Sequence, residues 1–395
     1  MIDLLLILTF ALSAILIVYH HVGYPVILSW YSKSHPLKAM RHKLRGFRTD
    51  LSDQSCASVT ILVPAYNEEQ WIADKIRNLA SLDYPRKKLK VIIACDGCTD
   101  NTVLIAEQTI QEAFCCDVHF EIRALTPNRG KVAVVNEQMK TIDSDITALS
   151  DVSAIISLDA LWLANKHFKN PDVGVVNGRY TLFDTRNTGE SNYWLYQSNV
   201  KMHEATLGST LGAHGAFYLF RTELFEPLAS NTINDDFIIP MRIVRKGYLS
   251  EYDKEMTALE LEPSSTNADF KRRLRISAGN MQQAIRLSDM FLPRYRGVAF
   301  AFLSGKGLRL LTPYLMIACL ITSICLSQYP VFMAALVAQL VVYCIAYLAY
   351  LFPYMFSHKI CKLLLYIVAG HIANFIGGLR YLLGLETGRW SRVNH

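Results

Sequence analysis

The stretch that decides the fold is VTILVPAYNEEQWIADKIRNLASLDYPRKKLKVIIACD at residues 59–96. It opens with an apolar strand pattern at 59–66, and a second apolar strand, LKVIIACD, closes it at 89–96. The residues between them, 67–82, have the spacing of an amphipathic helix. Its apolar face is formed by Trp71, Ile72, Ile76 and Leu79. A strand, a helix and a second strand of these lengths predict a βαβ unit with parallel strands.

The alternation of strand and helix continues well beyond this unit. A helical pattern, TDNTVLIAEQTIQEAF, follows at 99–114. Further strands are predicted at 118–125 (VHFEIRAL), 146–151 (ITALSD) and 173–183 (VGVVNGRYTLF). We therefore expect an α/β fold with a mostly parallel sheet, which binds its ligands at the carboxyl ends of the strands.

Both ends of the chain are apolar, and 51% of all residues are hydrophobic. Met1–Trp30 is apolar apart from Asp3 and the His20-His21 pair, and it is too long for the core of a signal peptide. It predicts a membrane helix that is retained. Three further segments are long enough to cross a hydrocarbon core of about 30 Å. They are Leu308–Ser327, Val331–Phe352 and Leu363–Leu383.

These patterns predict six consecutive regions. They are a membrane helix at 1–31, a basic linker at 32–57, a cytosolic α/β domain at 58–290, an interfacial helix at 291–307, membrane helices at 308–385 and a basic tail at 386–395. The interfacial helix is predicted because 291–309 mixes apolar residues with four arginines and lysines.

The charge distribution predicts on which side of the membrane the central domain lies. The stretch 32–50 holds six lysines and arginines against one acid, which marks a cytosolic segment. Because no aromatic residues interleave with these charges, we expect no nucleic-acid partner. Nine cysteines without a disulfide pattern also fit a reducing cytosol. Three spans after the domain would place the C-terminus outside, yet Arg380, Arg389 and Arg392 favour the inside. Either the last segment is re-entrant or tilted onto the cytosolic face, or the count is off by one.

Two separated carboxylates are the first candidates for chemistry. Asp151 ends the strand pattern ITALSD, where it could hold Mg²⁺ or Mn²⁺ together with phosphate oxygens. Asp236 follows Asn234 and Asp235 at the start of a helix-like run, and it could accept a proton from an attacking hydroxyl. The alternative is that Asn234 or Asp235 caps this helix while Asp236 interacts with its dipole.

Other polar clusters follow the predicted strands, and each has a simpler explanation. The segment VPAYNE at 63–68 could bind a nucleoside, or Asn67 could simply cap the next helix. Asp96 could reach a base or a ribose, or it could be a turn residue. Lys131 could bring a cation to the cleft or remain a solvated loop lysine. The arginines at 272, 273 and 275 could hold a pyrophosphate or face the membrane surface.

With these motifs in order, the chain resembles the membrane-embedded family 2 glycosyltransferases, the group of cellulose, hyaluronan and poly-N-acetylglucosamine synthases. The likeness extends from about Val59 to the C-terminus. It is carried by VPAYNE at 63–68, CDGCTD at 95–100, NRGKVAVVN at 128–136, SDVS at 150–153, GAHGAFYLFR at 212–221, NDD at 234–236, RKGY at 245–248, RRLRI at 272–276 and FLSGKGLRLLTP at 302–313.

This resemblance implies a GT-A fold, a nucleotide-diphosphate sugar donor with uridine favoured, Mg²⁺ or Mn²⁺, and single displacement with inversion at the anomeric carbon. It implies catalytic roles for Asp236, as the base, and Asp235. Donor-binding residues would be Pro64, Tyr66, Glu68, Asp96, Lys131, Asp151, Arg273 and Arg275, with Asp151 also holding the metal. Gly212, His214 and Gly215 would border the acceptor.

Three motifs depart from the family pattern. The metal motif is usually Asp-x-Asp, but here Ser153 replaces the second aspartate. The usual Glu-Asp pair is Asp235-Asp236, and the processive motif Gln-x-x-Arg-Trp is replaced by RRLRI at 272–276. Loss of the glutamine and the tryptophan weighs against long-chain processive synthesis but not against transfer.

The expected function is that of an integral protein of the cell (inner) membrane, which adds sugar at the cytosolic face to a polysaccharide or a lipid-linked glycan. Its expected partners are the nucleotide-sugar donor, this acceptor, membrane lipid and export or assembly subunits. Two alternatives are a synthase that loads one sugar onto polyprenyl phosphate and an inactive membrane scaffold subunit.

Overall fold

The computed structural model describes residues 1–37, 55–183, 188–262 and 266–386, with side chains described except at 188–193 and 266–269. Most of the predicted basic linker and nearly all of the basic tail lie outside these residues. The contacts divide the chain into two compact units. The helical unit comprises Met1–Lys33 and Thr266–Thr387, and the sheet unit lies within Ser34–Ser265.

Within these described ranges, eight strands form one sheet in the order β3-β2-β1-β4-β7-β6-β8-β5. The strands are β1 Val59–Ala65, β2 Leu89–Asp96, β3 His119–Leu125, β4 Ile146–Ser150, β5 Ala154–Ile156, β6 Val173–Leu182, β7 Phe217–Arg221 and β8 Leu249–Glu260. The first four strands in chain order are parallel, as are β6 and β8. The antiparallel pairs are β4 with β7, β6 with β7 and β5 with β8.

Thirteen α-helices are found in the described part of the chain. They are α1 Ile2–Val18, α2 Tyr24–Ser34, α3 Ile72–Ser81, α4 Thr102–Thr109, α5 Lys131–Gln138, α6 Ala160–His167, α7 Thr188–Ala205, α8 Asp235–Arg245, α9 Thr266–Arg286, α10 Gly297–Ala301, α11 Leu308–Cys325, α12 Pro330–Leu351 and α13 Lys359–Leu382. Side chains of α3, α4 and α6 join the strands in a buried core.

The register of β1 opens a crevice at the carboxyl edge of the sheet. β1 pairs with β2 as far as Ala65 and Cys95, but it pairs with β4 only as far as Leu62 and Leu149. Pro64 lies just beyond that last pair and has no N–H to donate, which fits the end of pairing. The carboxyl ends of β1 and β4 therefore separate, as expected where a sheet binds a ligand.

In the part of the chain that the structure describes, four helices are long and apolar enough to cross a membrane, judged by length and composition. They are Ile2–Ser34, Gly297–Cys325, Pro330–Leu351 and Lys359–Leu382. The first two each contain a π-helical segment, Tyr19–Gly23 and Phe302–Gly307. These segments contact each other, because the Tyr19 and Ser304 hydroxyls are 2.9 Å apart. Such polar contacts between helices help to hold membrane bundles together.

Two boundaries differ from the sequence prediction. No separate interfacial helix spans 291–307, because the chain forms short 3₁₀ turns at Ser288–Phe291 and Pro293–Tyr295 and then one helical run from Gly297. The helix α9 packs with α13 in the helical unit, although the sequence placed it in the α/β domain. The other domain limits stay predictions.

The predicted α/β class and the mostly parallel sheet are confirmed. Strands β5, β7 and β8 were not recognised in the sequence. All three form antiparallel pairs with strands that are distant in the chain. In addition, β8 pairs in parallel with β6. Long-range pairing of this kind leaves no local signal of the sort that made the βαβ units visible.

Candidate active site

Three carboxylates and one lysine meet at the carboxyl end of β4. Lys131, the first residue of α5, places its Nζ 2.9 Å from Asp151 Oδ1 and 3.6 Å from Asp235 Oδ2. Asp151 follows β4 directly, and Asp235 opens α8, whose dipole favours acidic residues in the first turn. Residues separated by more than eighty positions are thus brought into one ion-pair cluster.

Gly215 shows that Asp151 and Asp236 face the same spot. A Cβ built at Gly215 would lie 3.2 Å from Asp151 Oδ2 and 3.5 Å from Asp236 Oδ2. The backbone carbonyl of Asp236 also accepts a hydrogen bond from the Ala213 N–H at 2.9 Å. The chain segment before β7 therefore lies beside both carboxylates, and the absence of a side chain at Gly215 leaves room for them.

The members of this cluster differ in burial. The Asp151 side chain is 36% exposed, whereas those of Lys131 and Asp235 are 17% and 10% exposed. Burial alone would lower the pKa of Lys131, but Asp151 and Asp235 outweigh it and raise that pKa. The ammonium therefore stays charged and offsets the repulsion between the carboxylates.

Tyr218 lies on β7 at the back of this cluster and is buried. Its hydroxyl has no hydrogen-bond partner among the described residues. Burial first, and then Asp235 and Asp236, raise its pKa well above the usual value. The phenol therefore stays protonated and can only act as a neutral hydrogen-bonding group.

The loops after β1 and β2 are tied to each other. Asn67 has a positive φ of 54° and its Oδ1 accepts the Thr99 N–H at 2.8 Å. The Glu68 N–H donates to Thr102 Oγ1 at 2.7 Å. Asn67 does not cap α3, which begins five residues later at Ile72. Tyr66 and Glu68 are half-buried beside these contacts, whereas Pro64 is buried within β1.

Asp96 holds the loop that carries Lys131. Its carboxylate is fully buried and accepts the N–H groups of Arg129, at 3.0 and 3.1 Å, and of Gly130, at 2.7 Å. Gly97 has a φ of +65°, and a Cβ there would lie 2.3 Å from the Asn128 nitrogen. Only glycine allows this close approach. Direct contact of Asp96 with a nucleoside stays a prediction, since the described contacts use its carboxylate to fix the 128–130 loop.

Aromatic rings surround the predicted acceptor residue His214. Its ring stacks on Tyr180, with centroids 3.7 Å apart, and meets Trp194 edge-on at 4.8 Å. Its Nδ1 accepts the Ala216 N–H at 3.2 Å, so the neutral ring carries its proton on Nε2. Gly212 has a φ of +63° and packs against Phe237. Tyr180 and Trp194 were not recognised in the sequence, because single aromatic residues in strands and helices usually indicate core.

Two predicted donor ligands lie in the other unit. Arg273 and Arg275 belong to α9, and the Arg273 guanidinium stacks over the Tyr366 ring at 4.3 Å from its centroid. Both contribute to the helical unit described above. Their contact with a diphosphate stays a prediction.

The sequence reasoning also missed Lys75, a fully buried lysine that supports the Asp151 turn from α3. A signal was present, since Lys75 falls on the apolar face between Ile72 and Leu79, at spacings of three and four residues. A charged residue on the buried stripe of an amphipathic helix indicates a specific partner in the core.

We also considered cavities and groups of metal-binding side chains elsewhere among the described residues as alternative sites. A groove of about 530 Å³ lies at the opposite, amino-terminal edge of the strands, and it holds none of the predicted site residues. Within the described ranges, no three histidine, cysteine, aspartate or glutamate side chains are grouped to bind a metal. A metal at Asp151 would depend on that one carboxylate and on a ligand.

Residues 57–279, more than half of the chain, match the family described as "Glycosyltransferase like family 2". The chain therefore belongs to glycosyltransferase family 2, as the motifs predicted. The sheet unit has the GT-A fold of that family.

Curated relatives are the poly-beta-1,6-N-acetyl-D-glucosamine synthases of Staphylococcus aureus (strain COL) and Staphylococcus epidermidis. The first is 25% identical over 276 residues and the second 24% identical over 275, covering 67% of this chain in each case. The aligned part spans 65% of the length of these relatives.

A solved structure with a similar fold is the mannosyltransferase PcManGT from Pyrobaculum calidifontis, in complex with GDP-Man and Mn²⁺. The TM-score is 0.70 at 20% sequence identity, with 95% of this chain and 99% of that chain covered. The likeness therefore includes the helical regions as well as the GT-A domain.

Proposed function

We propose that this protein transfers a sugar from a nucleoside-diphosphate donor, with UDP as the carrier, to a polysaccharide or a lipid-linked glycan, with inversion at the anomeric carbon. The observation that carries the proposal is the convergence of Asp151 and Asp236 on the space in front of the Gly215 Cα. One carboxylate beside the leaving group and one beside the acceptor are what a single displacement requires.

Asp236 is the proposed base. It is half-buried at the start of α8, so its carboxylate is reachable from the cleft. It would accept the proton of the acceptor hydroxyl as that oxygen attacks the anomeric carbon from the face opposite the departing diphosphate. Asp235 is better suited to a supporting role, because it is buried and ion-paired with Lys131.

Asp151 is the proposed holder of Mg²⁺ or Mn²⁺. Its carboxylate is the most exposed of those paired with Lys131, and these ions accept one or two carboxylates together with phosphate oxygens. A bound ion would neutralise charge on the departing diphosphate. Lys131 would hold the Asp151 carboxylate in place, and the 128–130 loop fixed by Asp96 would hold Lys131.

The aromatic cluster of Tyr180, Trp194 and His214 is the proposed acceptor side. Gly212 and Gly215 flank His214 in the chain, and Gly215 lies beside both carboxylates. Aromatic side chains with a few polar groups are typical of sites that bind small organic ligands. The cluster comes from β6, α7 and the segment before β7, so it does not depend on the missing Gln-x-x-Arg-Trp motif.

The proposed location is the cell (inner) membrane, with the catalytic domain in the cytosol. Support comes from the four apolar helices and from the basic residues that follow the first one in the sequence. The names of the curated relatives suggest N-acetylglucosamine as the first sugar to test.

The test uses the purified full chain in lipid nanodiscs with Mn²⁺ and a panel of labelled sugar nucleotides. We expect one UDP-sugar to be consumed and its sugar to appear in an oligosaccharide or a lipid product, identified by mass spectrometry. Asp236→Asn should stop this turnover and leave donor binding intact. Failure of the wild type to turn over any donor would contradict the proposal. If the product were a single sugar on polyprenyl phosphate, the acceptor would be polyprenyl phosphate and not a growing glycan.

A further inference from the structure

Lys75 is a lysine with no exposed surface, placed by α3 behind the turn that carries Asp151. Its ammonium donates to Ser150 Oγ at 2.7 Å and to the Ala154 carbonyl at 2.5 Å. Ser150 is the last residue of β4 and Ala154 the first of β5. One side chain therefore binds both ends of the turn 151–153.

The contacts of Lys75 continue towards both catalytic carboxylates. Ser150 Oγ donates to the Ala216 carbonyl at 2.7 Å, and the Asp151 N–H donates to the same oxygen at 3.2 Å. Ala216 directly follows Gly215, the residue that faces both Asp151 and Asp236. The hydrogen-bonded chain from Lys75 thus reaches the β4 end and the β7 start, which both border the site.

A charged group at this depth is not the choice that maximises stability. Burial lowers the pKa of Lys75 to about 7, although Asp151 and Glu260 act in the opposite direction. An apolar side chain of similar volume generally fills such a core position at lower cost. Asn78, one turn further along α3, holds β5 without a charge, through two hydrogen bonds of 2.9 Å to the backbone of Ile156.

We propose that Lys75 is a positioning residue, which fixes the Asp151 turn so that its single carboxylate can bind the metal–diphosphate group of the donor. This inference rests on the proposed function of Asp151. With serine at position 153, the turn offers one carboxylate, so its orientation depends on the backbone that Lys75 holds. Residues that orient a metal ligand typically contribute about 10- to 100-fold in metal affinity or activity.

The experiment measures Mn²⁺-dependent binding of UDP, and in parallel of GDP, to the full chain in nanodiscs by calorimetry. Lys75→Met keeps the length of the side chain and removes the ammonium. We expect it to weaken Mn²⁺-dependent binding by about 10- to 100-fold and to leave binding in chelator unchanged. Asn78→Ala is the matched control on the same helix. It should lower the thermal midpoint and leave nucleotide affinity at the wild-type value.

Ser150→Ala is the second variant, which interrupts the chain of contacts but keeps the lysine and its bond to Ala154. We expect a loss of binding in the same direction and of about tenfold. If Lys75→Met does not fold, Ser150→Ala alone tests the positioning role of Lys75. Wild-type Mn²⁺-dependent affinity in Ser150→Ala, or in folded Lys75→Met, would overturn the proposal.

Asp151→Ala distinguishes a failure of the Lys75 proposal from a failure of the proposed metal site at Asp151. If it loses Mn²⁺-dependent binding while Lys75→Met and Ser150→Ala keep it, the positioning role is wrong and the role of Asp151 stands. If Asp151→Ala binds as the wild type does, or if the wild type binds neither nucleotide, the proposed metal site is wrong and the role of Lys75 falls with it.

Discussion

Replacing Gly215 by alanine tests the convergence of the two carboxylates with the smallest possible change. The new methyl carbon would lie 3.2 Å from Asp151 Oδ2 and 3.5 Å from Asp236 Oδ2. The first distance is tighter than an ordinary contact, so the Asp151 carboxylate must shift by a few tenths of an ångström. The backbone at Gly215 is outside the left-handed region, so alanine introduces no strain of its own.

The expected effects on stability and on rate have opposite signs. Gly→Ala at a compatible position stabilises by about 0.4–1 kcal/mol, because the unfolded chain loses freedom. A misplacement of about 1 Å can cost about 100-fold in rate, so we take about 100-fold as the largest loss expected from this smaller shift. Such a loss corresponds to about 2.7 kcal/mol of transition-state stabilisation. A stable protein with strongly reduced turnover is therefore expected.

The assay is the initial rate of labelled sugar transfer in nanodiscs, with the thermal midpoint measured on the same preparation. Gly370→Ala in α13 is the control, because a Cβ there would meet no described atom within 4 Å apart from the backbone of its own helix. It should keep the wild-type rate. If Gly215→Ala also kept the wild-type rate and donor affinity, the two carboxylates could not both act at the spot that Gly215 faces.

Four further outcomes are expected. Asp236→Asn should lower the transfer rate by at least about 100-fold with nucleotide affinity unchanged, and a parallel loss of affinity would argue against its role as base. Trp194→Ala should raise the KM for the acceptor about tenfold and leave the KM for the donor unchanged, with Trp194→Phe close to the wild type. An equal rise in both constants would contradict an acceptor contact. Tyr218→Phe removes a buried hydroxyl that has no partner in the described structure, so the thermal midpoint should stay or rise, and a fall of several degrees would show that the hydroxyl is bonded. Burial would lower the pKa of His167, but Asp253, at 2.9 Å, and Glu251 raise it to about 9. The pKa of His167 in the folded protein exceeds its unfolded value of about 6.5. The ion pairs of His167 therefore stabilise the folded state by about 3 kcal/mol below pH 6.5, and this stabilisation is lost as the pH rises to 9. Lys75 changes the stability with pH in the opposite direction, because its pKa in the folded state is lowered. The measurement is therefore the difference in unfolding free energy between wild type and His167→Gln, which should shrink between pH 6.5 and pH 9. A difference that stays constant would refute the ion-pair assignment.

Much of this protein could be predicted because its signals are local. The βαβ pattern at 59–96 predicted parallel strands, and the four apolar helices were visible in composition. The ordered motifs predicted the glycosyltransferase family, which the family match confirmed. Asp151 and Asp236 were singled out because each stands at the end of a regular element, where side chains can meet a ligand.

The tertiary structure decided how these residues are used. Lys131 pairs with Asp151 and Asp235 because β4, α5 and α8 meet at one edge of the sheet, and spacing along the chain cannot show this. The fold also uses the Asp96 carboxylate to hold the backbone of the 128–130 loop, a role that the sequence did not reveal, while its contact with the donor stays a prediction. Sequence by itself determined which chemical groups were available and on which kind of element they lie. Which of them face the cleft and which are enclosed was decided by long-range strand pairing, since only that pairing sets the distances between the groups.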